Sequence, residues 1–454
     1  MASIMKDVCG NSLTCSSPEA LKLYNQALGH FVSTRSIFLK PLQRAIELES
    51  GFTMARCLMG TIMCDPFVRD SATNAEYLDI LNHAYPNALD REKRHIEAFK
   101  AQIEGNVPKS SELYDQITIK YPRDLQAVRL AFGDYLTIGD FEKMRNMMSR
   151  AVIHCPKDFV LYPYVLSLYA FSLEETNERQ YAEELCRESL TLQPVNPWAS
   201  HTMAHVIEEV YKAEKGVDHL ISTRQHWSSC LLSHHITWHL TLFYFDLNQT
   251  DKILKEFDQV MAPNMKPGNM FQLLDASSLL WRLNVMGIDP GESRWKLVTE
   301  AFQVQVGNPS HSWLETHLMM SLCYGKVTAD TARLALANQV IQSMEVYSKE
   351  STSSDCSVAD LLGVPVCNAL LAYGQEKYDE VLSLMLPLRY DFIKFGGSWA
   401  QRQVFELTII MAAIKANDLS QALALIIELK SKKPNSKVLQ RLYNKISSKV
   451  AAKN

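Results

Sequence analysis

Three proline-centred tetrapeptides, YPRD at 121–124, CPKD at 155–158 and QPVN at 193–196, each close an apolar helical stretch; the second begins 34 residues after the first and the third 38 after that. Proline has no amide hydrogen and clashes with the preceding turn, so each marks a forced stop. Stops at this spacing punctuate a helix–turn–helix repeat, in which no single unit can bury its own apolar face and each must stack on the next.

The stretches between the stops agree. GDFEKMRNMMSRAVIHCP and YAEELCRESLTLQP have the small-residue and apolar spacing of second helices in a repeat pair, and the methionines of MRNMM (144–148) and HLMMSL (317–322) read as core packing. SPEALKLYNQALGHFVS opens with Ser-Pro and an early carboxylate, predicting a first helix from about residue 17. No alternation long enough for a substantial sheet occurs. The stretches 261–270, 286–294 and 348–360 read as loops. The expected fold is therefore all-α, a tetratricopeptide-like α-α superhelix (a solenoid) curved around a central cavity. It runs as one continuous domain over residues 1–454, with residues 1–16 a flexible start.

With 47% hydrophobic residues, the chain can bury a large core. A formal charge of -4 and a pI near 6.4 give no electrostatic ground for a nucleic-acid or anionic-membrane partner. Its ten cysteines are scattered, without CxxC spacing, and read as reduced thiols in the core. No signal-peptide run opens the chain and no apolar run reaches the ~18 residues of a membrane span. The expectation is a cytoplasmic protein with no membrane association.

One stretch departs from an ordinary repeat helix. From HTMAHVIEE (201–209) through HHITWH (234–239), with His219 and His226 between them, seven of the thirteen histidines fall within 39 residues. Offsets of 0, 4 and 7 residues lie within about 60° on a helix, so His201, His205 and Glu208 share a face, and His235 and His239 repeat the pairing. Imidazoles with a carboxylate suit a divalent metal, with His201, His205, His235 and His239 as candidate ligands, and suit equally a metal-free acid/base pair. The bland alternative is a set of histidines packed between helices. A second unusual stretch, KFGGSWAQRQVFE (394–406), offers a helix start capped by Ser398, where open amides with Gln401 and Arg402 would hold a carboxylate or phosphate; an interhelical turn with Arg402 in a salt bridge is the competing reading. Walker, dinucleotide, GxSxG and kinase motifs are absent, so no nucleotide or flavin cofactor is expected.

The segments REKRH (91–95), YAFSLEETN (169–177), NPWASHTMAHVIEE (196–209), HITWH (235–239), DASSLLWRL (275–283), LPLRYDFIKFGGSWAQRQVF (386–405) and KPNS (433–436) together resemble the tetratricopeptide repeat protein 38 family over nearly the full length. The resemblance implies a curved helical superhelix and one polar pocket drawn from separate repeats, at Arg91, Glu92, His95, His201, His205, Glu208, His235, His239, Asp275, Arg282, His317, Ser398, Gln401 and Arg402. It supplies no reaction. Several positions depart from the family pattern: Phe132 and Gly133 replace a His-Asp pair, Ile236 an Asn, Leu314 and Glu315 an Asn-Asp, Gln403 an Asp, and Trp399 a smaller or polar residue. These changes add apolar surface.

The resulting expectation is an enzyme-like protein that binds and transforms a hydrophobic or aromatic small molecule. His201, His205, Glu208, His235 and His239 would carry acid/base or metal-assisted chemistry, and Phe132, Trp238, Asp275, Arg282, His317, Trp399, Gln401 and Arg402 would contact the ligand. The alternative is a non-catalytic scaffold holding a peptide or protein on its concave face.

Overall fold

The computed structural model describes residues 3–64, 71–266 and 269–452. Two residues of the expected loop at 261–270 lie outside them.

The fold is all-α. Helices follow one another as antiparallel pairs, and the only sheet among the described residues is a hairpin of two three-residue strands, Ile4–Lys6 and Ser12–Thr14. The pairs include 90–103 with 107–120, 125–138 with 141–154, 162–174 with 179–192, 364–374 with 378–385 and 399–415 with 419–432. The first helix starts at Pro18, capped by the Ser17 side chain on the Ala20 amide, as the sequence predicts.

The turns inside the pairs share one construction. At Gly105, Gly139, Asn177, Asn248, Gly287, Glu376 and Asn417 the backbone enters the left-handed region. The next residue's amide then bonds the carbonyl five back, as in Asn106 to Ala101, Asp140 to Tyr135, Glu178 to Leu173 and Asp418 to Ala413. This is the Schellman closure, which satisfies carbonyls the helix end would leave open. The closing residue often caps the next helix: Asn106, Asp140 and Asp418 accept from the Lys109, Lys143 and Gln421 amides.

The chain divides into two compact units. The first comprises 1–203, 225–233 and 352–354; the second comprises 204–224, 234–351 and 355–454. In both, some helices are buried nearly all round and others bury only one stripe. Tyr162–Glu174 buries almost every residue, whereas Arg179–Leu192 buries only Ala182, Leu185, Cys186 and Ser189. Met270–Val285 and Ser312–Cys323 are likewise buried all round. A polar side chain on such a helix has no access to bulk water and needs a partner inside the protein.

The amino-terminal residues differ from the flexible start that the sequence suggests. Strands of three residues are too short to show alternation, and what orders them comes from elsewhere in the first unit. The Glu92 carboxylate accepts from the amide and hydroxyl of Thr14 at 2.7 Å each, Arg91 pairs with Asp7 at 3.0 Å, and Glu49 accepts from the Ser16 and Ser17 amides.

Two further expectations need correction. Only residues 351–355 of the stretch 348–360 are non-helical, because the helix Thr331–Glu350 runs into it and another begins at Cys356. The helical run Cys356–Gly374 is, by length and composition, long and apolar enough to cross a membrane. Ser357, Asp360 and Asn368 break its apolar sequence, which hides it from a search for unbroken runs. Here its Ala359, Leu362, Val366 and Leu370 are buried, and it packs on Ser312–Cys323 and Thr331–Glu350.

Candidate functional site

Four buried helical segments and one helix end of the second unit bring polar side chains together: 204–210, 234–246, Met270–Val285, Trp399–Lys415, and Lys433 just past Leu419–Lys432. The His235–His239 pair lies on one helix face, and the His205 ring stands beside it, with centroids 4.5 Å from His239. His235 and His239 are 4.8 Å apart in the same measure. Each of the three rings offers a nitrogen within 4.8 Å of the others.

Two carboxylates back these rings. Both oxygens of Asp275 lie 3.0 Å from Nδ1 of His235, and one lies 3.4 Å from Nδ1 of His234. Glu208 reaches in two directions: one oxygen is 2.6 Å from Nζ of Lys433, and the other is 3.5 Å from Nδ1 of His239. Burial pushes the Glu208 carboxyl up, but Lys433 and His239 outweigh it and hold it below the ordinary carboxylate range. Asp275 follows the same pattern, with burial opposed by His235 and His234. The carboxylates are therefore ionised at neutral pH.

The imidazoles shift the other way. Burial lowers His239 to about 4, against the pull of Glu208. Burial and the neighbouring His239 carry His205 well below its usual value. Both are neutral near pH 7, and a neutral imidazole accepts a proton or a metal on one nitrogen while donating from the other.

Trp238 stacks on His235 with an interplanar angle of 13° and donates its indole N–H to Ser278 Oγ at 3.1 Å. On its other contacts lies Arg282, whose guanidinium carbon is 5.2 Å from the ring centroid and which donates to the carbonyls of Ala400 (2.8 Å) and Gln401 (3.3 Å). Burial pulls Arg282 down to about 10, so it stays charged at neutral pH. A small, open cleft lies beside this group. Glu208, Asp246, Arg282, Gln403, Lys433 and Ser436 supply its polar lining, and leucines with Phe245 and Val438 its apolar wall.

His205, Glu208, His235, His239, Trp238, Asp275 and Arg282 are thus assembled as one group. The other expected residues stand differently. Gln401 and Ser398 form a reciprocal capping box that closes the start of their helix, with the side chain of each accepting from the other's amide. Arg402 turns back onto the carbonyls of Gly396 and Gly397. These contacts occupy groups that the sequence reading offered to an anion. Trp399 lies under Lys432 and Lys433 at 5.3 and 6.0 Å. His317 donates from Nδ1 to the Trp313 carbonyl at 2.8 Å and packs on Trp313 and Phe405, with burial lowering it to about 4.

Phe132 and His201 belong to the first unit. The Phe132 ring meets Trp198 edge-on at 5.3 Å, and His201 stacks on Phe171 at 5.5 Å, one helical turn before His205. Arg91 and His95 converge on Asp124 at 2.6 and 2.8 Å, and Asp124 caps its own helix through the Ala127 amide. Arg91, which also reaches Asp7 and the Ser12 carbonyl, and Glu92 on Thr14 hold the amino-terminal hairpin, which is a structural task.

Lys433, His234 and Ser278 are site residues that sequence reasoning does not single out. Lys433 sits in the basic run KSKKPNS, which reads as the solvated end of a helix, and its partner is 225 residues away.

No protein-family model matches the chain. Among solved structures, it is similar to the human IFIT1 dimer with PPP-AAAA (TM-score 0.33, 13% identity, 80% of this chain and 91% of that one). It is also similar to yeast Tom70 (TM-score 0.34, 14% identity, 96% and 90%) and to Naa15/Naa10 bound to HypK-THB (TM-score 0.25, 13% identity, 94% and 65%).

Proposed function

We propose that the second unit binds a small organic molecule bearing an anionic or carbonyl group in the cleft beside Glu208, Arg282 and Lys433, and that His239 and His205 act on it as neutral acid/base groups. The observation that carries this reading is the double role of Glu208. It lines the cleft, pairs with Lys433 and faces His239 Nδ1, so one carboxylate joins the ligand space to the imidazoles. Lys433 and Arg282 would hold the ligand's oxygen, the leucine and phenylalanine wall would hold its apolar part, and Glu208 would orient the His239 proton. In this reading the chain is a divergent member of the tetratricopeptide repeat protein 38 family, located in the cytoplasm, whose added apolar surface favours a hydrophobic or aromatic ligand.

The test is native mass spectrometry of the purified full chain beside a denatured sample, with Lys433→Met as the variant. A stoichiometric organic mass that is present on the wild type, released on denaturation and lost from a folded Lys433→Met supports the reading. A bare wild-type mass, together with no change in thermal unfolding across a panel of aromatic carboxylates, overturns it. The stacked helix pairs would then be read as a scaffold for a peptide or protein.

A further inference from the structure

We propose that His205, His235 and His239 together hold one divalent transition-metal ion of the zinc class, with Asp275 and Glu208 as the outer carboxylates that orient two of the three ligands. This rests on the reading of the same site and changes one part of it: His205 and His239 would serve as ligands, and the ion, not a free imidazole, would act on the bound molecule.

The argument rests on ligand type, convergence and support. Three imidazoles are a sufficient protein ligand set for a zinc-class ion. Two come from adjacent turns of one helix, His235 and His239, so their rings project from one face, and His205 approaches from a second helix with its ring 4.5 Å from His239. Their candidate ligand atoms already lie within 4.8 Å of one another. A tetrahedral ion with metal–nitrogen bonds of about 2.0–2.1 Å needs nitrogens roughly 3.3 Å apart. Side-chain rotations that move each nitrogen by about an ångström would close that gap.

The outer partners make the cluster more than an accidental group of rings. A histidine that binds a metal through one nitrogen ordinarily donates its other N–H to a carboxylate, which fixes the ring and raises its basicity. Asp275 stands at Nδ1 of His235 at 3.0 Å, and Glu208 faces Nδ1 of His239 at 3.5 Å. This assigns the ligand role to Nε2 on both. Trp238 stacks flat on His235 and meets His239 edge-on at 4.9 Å, so an indole stands against two of the ligands. A paramagnetic ion bound there would quench that indole.

The experiment uses the full chain, stripped with chelator, dialysed and titrated with cobalt(II) and then zinc(II). The expected result is saturable binding of one cobalt ion with an intense tetrahedral visible spectrum, loss of tryptophan fluorescence, and displacement of cobalt by one zinc. His235→Ala and His239→Ala should each abolish the spectrum. Asp275→Asn should keep the ion but weaken its affinity by about 10- to 100-fold. The wild-type titration needs no variant to fold. Absence of a saturable one-ion spectrum in the wild type overturns the proposal, as does a spectrum unchanged in a folded His239→Ala. If the chain still carries a stoichiometric organic ligand after it fails to bind cobalt, the metal alone is rejected; loss of the organic ligand with metal binding intact rejects the other reading instead.

Discussion

Glu315 shows how far one buried group can tilt the pH response of this protein. Burial raises its carboxyl to about 8, the backbone at Ser310 pulls against that rise, and nearby Asp355 adds to it. The native protein therefore keeps a proton that the unfolded chain releases above its ordinary value near 4.5. The stability this proton carries is present at low pH and is lost as the pH rises from about 4.5 through about 8. Glu315→Gln, a neutral group of the same shape, should match the wild type near pH 4.5 and exceed it by about 4 kcal/mol near pH 7.5. Denaturant unfolding at the two pH values measures this, and an equal offset at both would remove the buried acid from the explanation. At this scale the sequence shows what shares a helix face and little else. The spacing of His205 with Glu208, and of His235 with His239, is legible because it is local. Asp275 and Arg282 come from the family resemblance, and Lys433 stays hidden because a lysine beside Pro434 looks solvated until its distant partner is known.

At the scale of the element, the prolines mark where pairs end, and the expected helices are found there. The turns within pairs are less legible, because the left-handed position is filled by three glycines, three asparagines and one glutamate. What unites them is a backbone bond pattern, and no residue type encodes it alone. Glu376 is the exception in that set, with φ 63°, since a residue other than glycine or the locally hydrogen-bonding asparagine pays about 1–2 kcal/mol there. Its ion pair with Lys326 is 50% exposed on the glutamate side and contributes little. Glu376→Gly should therefore raise stability by about 1 kcal/mol despite deleting a 2.6 Å salt bridge, as read from the thermal midpoint. A lower midpoint would mean that the ion pair outweighs the backbone strain. The hairpin at residues 4–14 was illegible for a related reason: its order is supplied by Glu92 and Arg91, some 80 residues on.

For the whole molecule, the ten cysteines give a measure of how closed the two units are. Eight are buried, and only Cys230 and Cys356 are partly accessible. Burial pushes Cys230 up to about 12, which leaves little thiolate to react. A thiol reagent near pH 8 should therefore label one site quickly, Cys356, and the remaining nine only as the chain unfolds. Mass spectrometry of the labelled native protein checks this, and several fast sites would show units far looser than described. The reduced thiols and helical repeats are legible from composition and spacing; the division into two units is not, because it depends on contacts between segments far apart in the chain. That division has a consequence for the gene. The polypeptide passes from one unit to the other inside the helix Pro197–Val210, returns for 225–233, and returns again for 352–354. A ribosome cannot finish the first unit until it has translated most of the second, and a stop codon or splice break anywhere between 234 and 351 leaves both unfinished.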